Sequence, residues 1–150
     1  MKEKIIEVQK KWADGIIKMG ELSNDRSSLN DFASNFLDEM YDFENNQLLF
    51  KPTKASNIQF RNTKEMALSY FIAGDNRECD EDQGFALSKW SKITFENSQI
   101  SIKGDLGFAM GNYVFENEST KIKVEYSFGY RDVNDSIKIF LHHSSIPYKL

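Results

Sequence analysis

The sequence is short of the residues that build disulfides and metal sites. Cys79 is the single cysteine among 150 residues, so the chain can form no internal disulfide and no cysteine-rich zinc site. The two histidines, His142 and His143, are adjacent. Neighbouring positions on a regular strand point to opposite faces, so this pair cannot bind one metal ion together. We therefore predict no metal site and no cofactor.

Basic charge and long apolar runs are also lacking. The chain has 19 Lys and Arg residues against 23 Asp and Glu residues, a formal net charge of −4, whereas a nucleic-acid-binding surface needs a basic stripe. No apolar run approaches the roughly 18 residues of a membrane span. Near the start, the uninterrupted apolar stretch of a signal peptide is missing, because charged residues break it at Lys2, Glu3, Lys4, Glu7, Lys10 and Lys11. We therefore expect a cytoplasmic protein without nucleic-acid or membrane partners.

The first half of the sequence is patterned for helices. Apolar residues recur every three or four positions over roughly residues 3–22 and again from Ser28 to Met40. A third helix is expected from Thr63, a capping residue, to Ile72. Gly15 weakens the first helix, so we expect it to pack closely against another element. A short strand is predicted at Gln47 to Lys51, stopped by the proline that follows.

From Phe85 onward the apolar period changes to two, which is typical of strands. The predicted strands cover roughly residues 85–96, 99–103, 107–116, 121–131 and 137–144. Helices followed by consecutive antiparallel strands indicate an α+β fold, with the helices on one face of a bent sheet. The length suits a single domain over residues 1–150.

Short runs along nearly the whole chain resemble a known superfamily. These runs are Trp12-Ala13-Asp14-Gly15-Ile16, Leu49-Phe50-Lys51-Pro52-Thr53, Ala67-Leu68-Ser69-Tyr70-Phe71, Lys123-Val124-Glu125-Tyr126 and Leu141-His142-His143-Ser144-Ser145. The sequence resembles the nuclear transport factor 2-like (SnoaL-like) superfamily, in particular a group of small bacterial proteins, and its last run is similar to the association domain of calcium/calmodulin-dependent protein kinase II. The resemblance implies a cone-shaped, cystatin-like fold that closes over a pocket, and a dimer through the outer face of the sheet. It implies no particular reaction.

The candidates for acid–base chemistry are His143, His142 and Glu125. Strand parity places His143 on the inner face with Ile137 and Ile139, where it could act as a pocket acid or base. It could equally be a core histidine bonded to a neighbouring hydroxyl. A bulge in the strand would bring His142 inside instead. Glu125 lies among basic residues, so it could form an ion pair or take part in catalysis.

A ligand pocket is predicted between helices and sheet. The side chains that we expect to converge there are Arg61, Tyr70, Trp90, Tyr126 and His143. The aromatic residues among them have an apolar body and a polar tip, as pocket walls often do. Arg61 could bind an anion with its two-pronged guanidinium, or it could form a salt bridge.

The pocket and the resemblance favour a small-molecule-binding module, with a possible anionic ligand. An enzyme of isomerase, dehydratase or hydrolase type, using a histidine with Arg61 or Glu125, is the alternative. A pure oligomerisation domain is a third possibility. Large residues on both faces of the strands, such as Phe140 opposite Ile139, favour a homodimer through the outer sheet face.

Overall fold

The computed structural model describes residues 1–150 except for the side chain of Asn46. Over these residues the elements are α1 (Lys2–Glu21), α2 (Arg26–Met40), β1 (Leu49–Lys51), α3 (Lys64–Ile72), β2 (Lys92–Lys103), β3 (Leu106–Glu116), β4 (Lys121–Val133) and β5 (Ser136–Ser145). The strands form one curved sheet in the order β1-β5-β4-β3-β2. The helices pack on its concave face, so the predicted α+β class is confirmed.

The sheet combines two kinds of strand pairing. Strands β2 to β5 form an antiparallel meander. The short β1 instead runs parallel to β5 at the sheet edge, with Phe50 opposite His142. The sequence suggested antiparallel pairing throughout. A parallel pair is possible here because β1 is joined to β5 through α3 and the rest of the sheet, not by a hairpin.

The helices follow the apolar stripes, with one corrected boundary. The expected close packing of Gly15 is confirmed, because a Cβ atom at this position would lie 2.1 Å from a ring carbon of Phe36 on α2. Helix α2 begins before the predicted Ser28, since the Asp25 carboxylate accepts the Ser28 backbone N–H at 3.1 Å and caps the helix there. Thr63 caps α3 as predicted. In the described part of the chain, no helix has the length and apolar character needed to cross a membrane.

The strand predictions need two corrections. Phe85–Ser88 forms a 3-10 turn and not the start of a strand. Gly84 and Lys89, which flank this turn, have φ angles of 81° and 54°, which no regular strand accommodates. The predicted strands over 85–96 and 99–103 are a single strand, β2, with an irregularity in register between Asn97 and Gln99.

Candidate functional site

A bulge in β5 decides which histidine faces the inside of the molecule. Gly129 on β4 lies opposite Leu141, but the next residue of β4 lies opposite Ile139, so Phe140 has no partner across the ladder. This extra residue reverses the inward and outward alternation of the rest of the strand. His142 is consequently buried, at 2% exposure, whereas His143 lies exposed on the outer face. The inward orientation that regular strand alternation predicted for His143 is therefore wrong, and His142 faces inward instead.

The His142 ring is bonded on both nitrogens. Nδ1 lies 2.9 Å from the hydroxyl oxygen of Tyr41, the residue that ends α2. Nε2 lies 3.0 Å from Ser144 Oγ and 3.1 Å from the Tyr113 hydroxyl. Tyr113 and Ser144 are also hydrogen bonded to each other. We call His142, Tyr41, Tyr113 and Ser144 the histidine cluster; each of them is 2% exposed.

Aromatic rings enclose the histidine cluster. The imidazole is stacked on Phe128, with ring centroids 4.1 Å apart, and on Phe50, with centroids 4.8 Å apart. Trp12 meets the imidazole edge-on at 5.7 Å and donates its indole N–H to the Tyr41 hydroxyl at 2.9 Å. The histidine cluster is thus a small polar group surrounded by apolar core side chains.

Burial keeps the histidine cluster uncharged. Removal from water, together with the charge of the neighbouring His143, lowers the pKa of His142 to about 3. The same burial raises the pKa of the Tyr41 and Tyr113 hydroxyls well above their ordinary value. At neutral pH the cluster therefore consists of a neutral imidazole and neutral hydroxyls, which can donate hydrogen bonds without carrying charge.

The structure places Arg61 in a second polar cluster, as a salt-bridging arginine. Its guanidinium is fully buried and forms two hydrogen bonds to the Asp82 carboxylate, at 2.6 and 2.7 Å. Its Nε–H is donated to the Ile58 carbonyl at 2.7 Å. The neighbouring Glu81 carboxylate accepts backbone N–H groups of residues 56–58. These contacts tie two loops together, and the Arg61 donors are occupied by protein acceptors.

Tyr70 lies at a cavity next to this second cluster. The cavity has a volume of about 330 Å³ and is lined by Lys54, Tyr70, Glu81 and Phe85, among others. The Tyr70 hydroxyl accepts the Lys54 backbone N–H at 3.3 Å. Its ring packs edge-on against Phe50, the residue that stacks on His142. Tyr70 thus lies at a cavity and contacts a ring that stacks on His142. A different cavity, of about 340 Å³, is lined by His143 together with Phe50 and His142.

The remaining predicted site residues lie elsewhere. Trp90 is a core residue whose indole N–H is donated to the Phe85 carbonyl at 2.9 Å. Tyr126 donates to Asn97 Oδ1 at 2.6 Å, within a separate buried group that includes Gln9. Glu125 is exposed on the outer face and accepts the Ser145 hydroxyl at 2.9 Å. The five predicted pocket residues therefore do not converge on one cavity.

Sequence reasoning missed most partners of His142. Ser144 could have been found, because it follows His142 by two positions and so shares its face. Tyr113 is recognisable only once the register of β3, β4 and β5 is known. Tyr41 carries no local signal, since a tyrosine at the end of an amphipathic helix is ordinarily a core residue. Among the described residues, no group of three or more His, Cys, Asp or Glu side chains could hold a metal ion.

Comparison with known proteins identifies the family. The profile of one family, described as "Metal-independent carbonic anhydrase", matches residues 3–146. The chain belongs to this family. A metal-independent carbonic anhydrase from Nostoc sp. is 32% identical over 151 residues, covering 97% of this chain and 73% of the relative. The crystal structure of a cyanobacterial iota-carbonic anhydrase complexed with bicarbonate is similar along 100% of this chain and 94% of its own, with a TM-score of 0.94 and 29% identity.

The carbonic anhydrase family corrects one prediction and supports another. The prediction of a small-molecule-binding module without a defined reaction is wrong, because the family profile, the curated relative and the solved structure all carry the name of one enzyme. The expected fold is shown. A nuclear transport factor 2-like protein of unknown function from Shewanella oneidensis matches with a TM-score of 0.60 and 16% identity over 96% of this chain and 98% of its own.

Proposed function

We propose that this chain catalyses the reversible hydration of carbon dioxide to bicarbonate at the histidine cluster. The observation that carries the proposal is the neutral hydrogen-bonded group of His142, Tyr113 and Ser144, enclosed by aromatic rings. Membership of the carbonic anhydrase family supports it, as does the bicarbonate complex of the similar cyanobacterial enzyme.

The donors match the charge that develops in this reaction. A water oxygen forms a bond to the carbon of CO2, one C=O electron pair moves onto an oxygen, and the water gives up a proton to solvent. Negative charge thus grows on the carbonate oxygens. Fixed hydrogen-bond donors in a site shielded from water stabilise such charge far better than bulk solvent does. The Tyr113 and Ser144 hydroxyls, oriented by the His142 ring, can supply such a donor without a metal ion.

The neutrality of the histidine cluster suits turnover. A charged imidazolium would bind the bicarbonate product strongly, and binding that holds product as firmly as the transition state gains nothing in rate. The imidazole remains neutral at physiological pH because its pKa is lowered to about 3. The stacked rings of Phe50 and Phe128 meanwhile give apolar CO2 a favourable surface.

We assign Tyr70 to the entrance of the site. The cavity that it lines has room for several small molecules, at about 330 Å³. Phe50 contacts both Tyr70 and His142, and it also lines a second cavity, of about 340 Å³, together with His142. We propose that CO2 from either cavity passes this ring on its way to the histidine cluster. A wider ring at position 50 should therefore lower kcat/KM.

The adjacent histidines provide a matched test of the proposed activity. CO2 hydration is followed by stopped flow with a pH indicator, in buffer treated with a metal chelator. His142→Gln should lower kcat/KM by about 100-fold or more, because the ring orients the hydroxyl donor and losing one such donor usually has an effect of this size. His143→Gln changes the same residue type one position away on the exposed face and should stay within about twofold of the parent. An unaltered rate in His142→Gln, or a parent rate abolished by the chelator, would contradict the proposal.

We also propose that a second copy of this chain covers the outer sheet face. Phe108 and Met110 are 38% and 61% exposed on this face, and Phe108 contacts the Phe140 ring. Lys123 and Glu125 lie on the same face with opposite charges, so a two-fold related copy can pair each with the other. Sedimentation equilibrium at micromolar concentration should give about twice the 17.4 kDa of one chain. Met110→Glu should give a monomer, and a parent protein that sediments as 17.4 kDa would exclude this assembly.

A further inference from the structure

We infer that Trp12 and Tyr41 are positioning residues that fix which nitrogen of His142 carries the ring proton, and that this choice keeps one hydroxyl hydrogen free for the substrate. The inference rests on the proposed function for its catalytic meaning. Its structural content can be measured without activity.

The direction of the hydrogen bonds is set at Trp12. An indole N–H can only donate, and it lies 2.9 Å from the Tyr41 oxygen. The Tyr41 oxygen therefore accepts from Trp12, and its own hydrogen must point elsewhere. Among the described residues, the acceptor within reach of this hydroxyl is Nδ1 of His142, at 2.9 Å. Nδ1 must then present a lone pair, and the proton of the neutral imidazole is on Nε2.

The position of this proton decides what Tyr113 and Ser144 can offer. The pair has two hydroxyl hydrogens, and one of them lies between the two oxygens. The Nε2–H of His142 is donated to this pair, at 3.0 Å from Ser144 Oγ and 3.1 Å from the Tyr113 oxygen. The second hydroxyl hydrogen then has no acceptor within the cluster. It is free to be donated to an oxygen of CO2 or bicarbonate.

The opposite tautomer would remove this donor. With the proton on Nδ1, Nε2 would present a lone pair to Tyr113 and Ser144 and would accept the second hydroxyl hydrogen itself. The Tyr41 oxygen would receive two donors, and its own hydrogen would lose its acceptor in a buried place, which is unfavourable. Trp12 and Tyr41 thus act on the reaction through His142 and need not touch the substrate.

Nitrogen NMR of the histidine ring tests the inference directly. In the His143→Gln protein, His142 is the single histidine, so ¹⁵N-histidine labelling gives one ring to assign. Protonated and unprotonated ring nitrogens resonate far apart, and their couplings to the ring hydrogens identify each nitrogen. We expect the Nε2–H tautomer as the single species at pH 7.

Three variants in the same His143→Gln background separate positioning from structure. Tyr41→Phe should produce a measurable population of the Nδ1–H tautomer and lower kcat about tenfold or more. Trp12→Phe keeps the Tyr41 hydroxyl but no longer fixes the direction of its hydrogen, so it should give a smaller shift in the tautomer population. If Tyr41→Phe does not fold, Trp12→Phe serves as the test instead. Tyr130→Phe is the control, since it removes an equally buried hydroxyl that bonds Gln9 and not His142. It should leave the tautomer unchanged.

The outcomes distinguish this inference from the proposed function. The positioning role would be overturned by an Nδ1–H tautomer in the parent. It would also be overturned if neither the tautomer nor kcat changed in Tyr41→Phe and Trp12→Phe. A tautomer that responds as expected in a protein without CO2 hydration would support the hydrogen-bond direction and reject the proposed activity.

Discussion

Mild acid should destabilise this protein through His142 alone before the carboxylates respond. The pKa of the buried imidazole is lowered to about 3, whereas an unfolded chain holds histidine near its ordinary value of about 6.5. Between these two values the unfolded state binds a proton that the folded state does not. Protonation of this group therefore costs no stability above about pH 6.5, and the free energy of unfolding decreases as the pH falls towards 3.

The size of the effect follows from the difference in pKa. Each pH unit within this window removes about 1.4 kcal/mol of the free energy of unfolding. Between pH 7.5 and pH 4.5 the loss should be about 2–3 kcal/mol, a large part of the total stability of a domain of this size. Asp25 and Glu81 also have lowered pKa values, because they accept hydrogen bonds, but carboxyl groups protonate mainly below about pH 4.5.

Urea unfolding at pH 7.5, 6.0 and 4.5 measures this loss. The parent protein and His143→Gln should both lose about 2–3 kcal/mol across the range. His142→Gln should lose less than half of that, each protein being compared with its own value at pH 7.5. A His142→Gln protein with the full pH dependence of the parent would refute the assignment of the buried titrating group.

Two further predictions concern stability. Arg61→Met should lower the free energy of unfolding by about 3–5 kcal/mol, because it leaves the buried Asp82 carboxylate without its ion-pair partner. The double variant with Asp82→Leu should lose less stability. Urea unfolding of both variants shows whether the unpaired charge or the packing causes the loss. Gly15→Ala should destabilise by up to about 2 kcal/mol, although alanine favours helices, because overpacking against Phe36 outweighs the gain in propensity. Thermal unfolding checks the second prediction, and a stabilised Gly15→Ala protein would contradict it.

Much of the fold could be predicted because its signals are local. The apolar stripe that buries Ile5, Trp12 and Ile16 sets the face of α1, and Thr63 marks the start of α3. The signals failed where a backbone departs from its regular period. Phe85 and its neighbours alternate like a strand, but the positive φ angles of Gly84 and Lys89 turn them into a 3-10 segment.

The site was harder to predict because its parts are brought together over long distances in the chain. The bulge at Phe140 depends on pairing with β4, and no pattern within β5 shows it. Arg61 could be identified as a candidate for pairing with a carboxylate, but its partner Asp82 lies in a polar loop that resembles a solvated one. Only the fold brings these two residues into one buried pair.

The parallel contact between β1 and β5 has a consequence for how the protein matures. Tyr41 precedes its partner His142 by 101 positions, so folding must close a very long loop before Nδ1 of the ring gains its hydrogen bond. Contacts of this separation form late and limit folding rates. During synthesis the Phe50 strand leaves the ribosome well before β5 exists and must wait for it. Catalytic competence should therefore arrive with the final docking of β1 on β5, and activity regained on refolding would report the fully assembled chain.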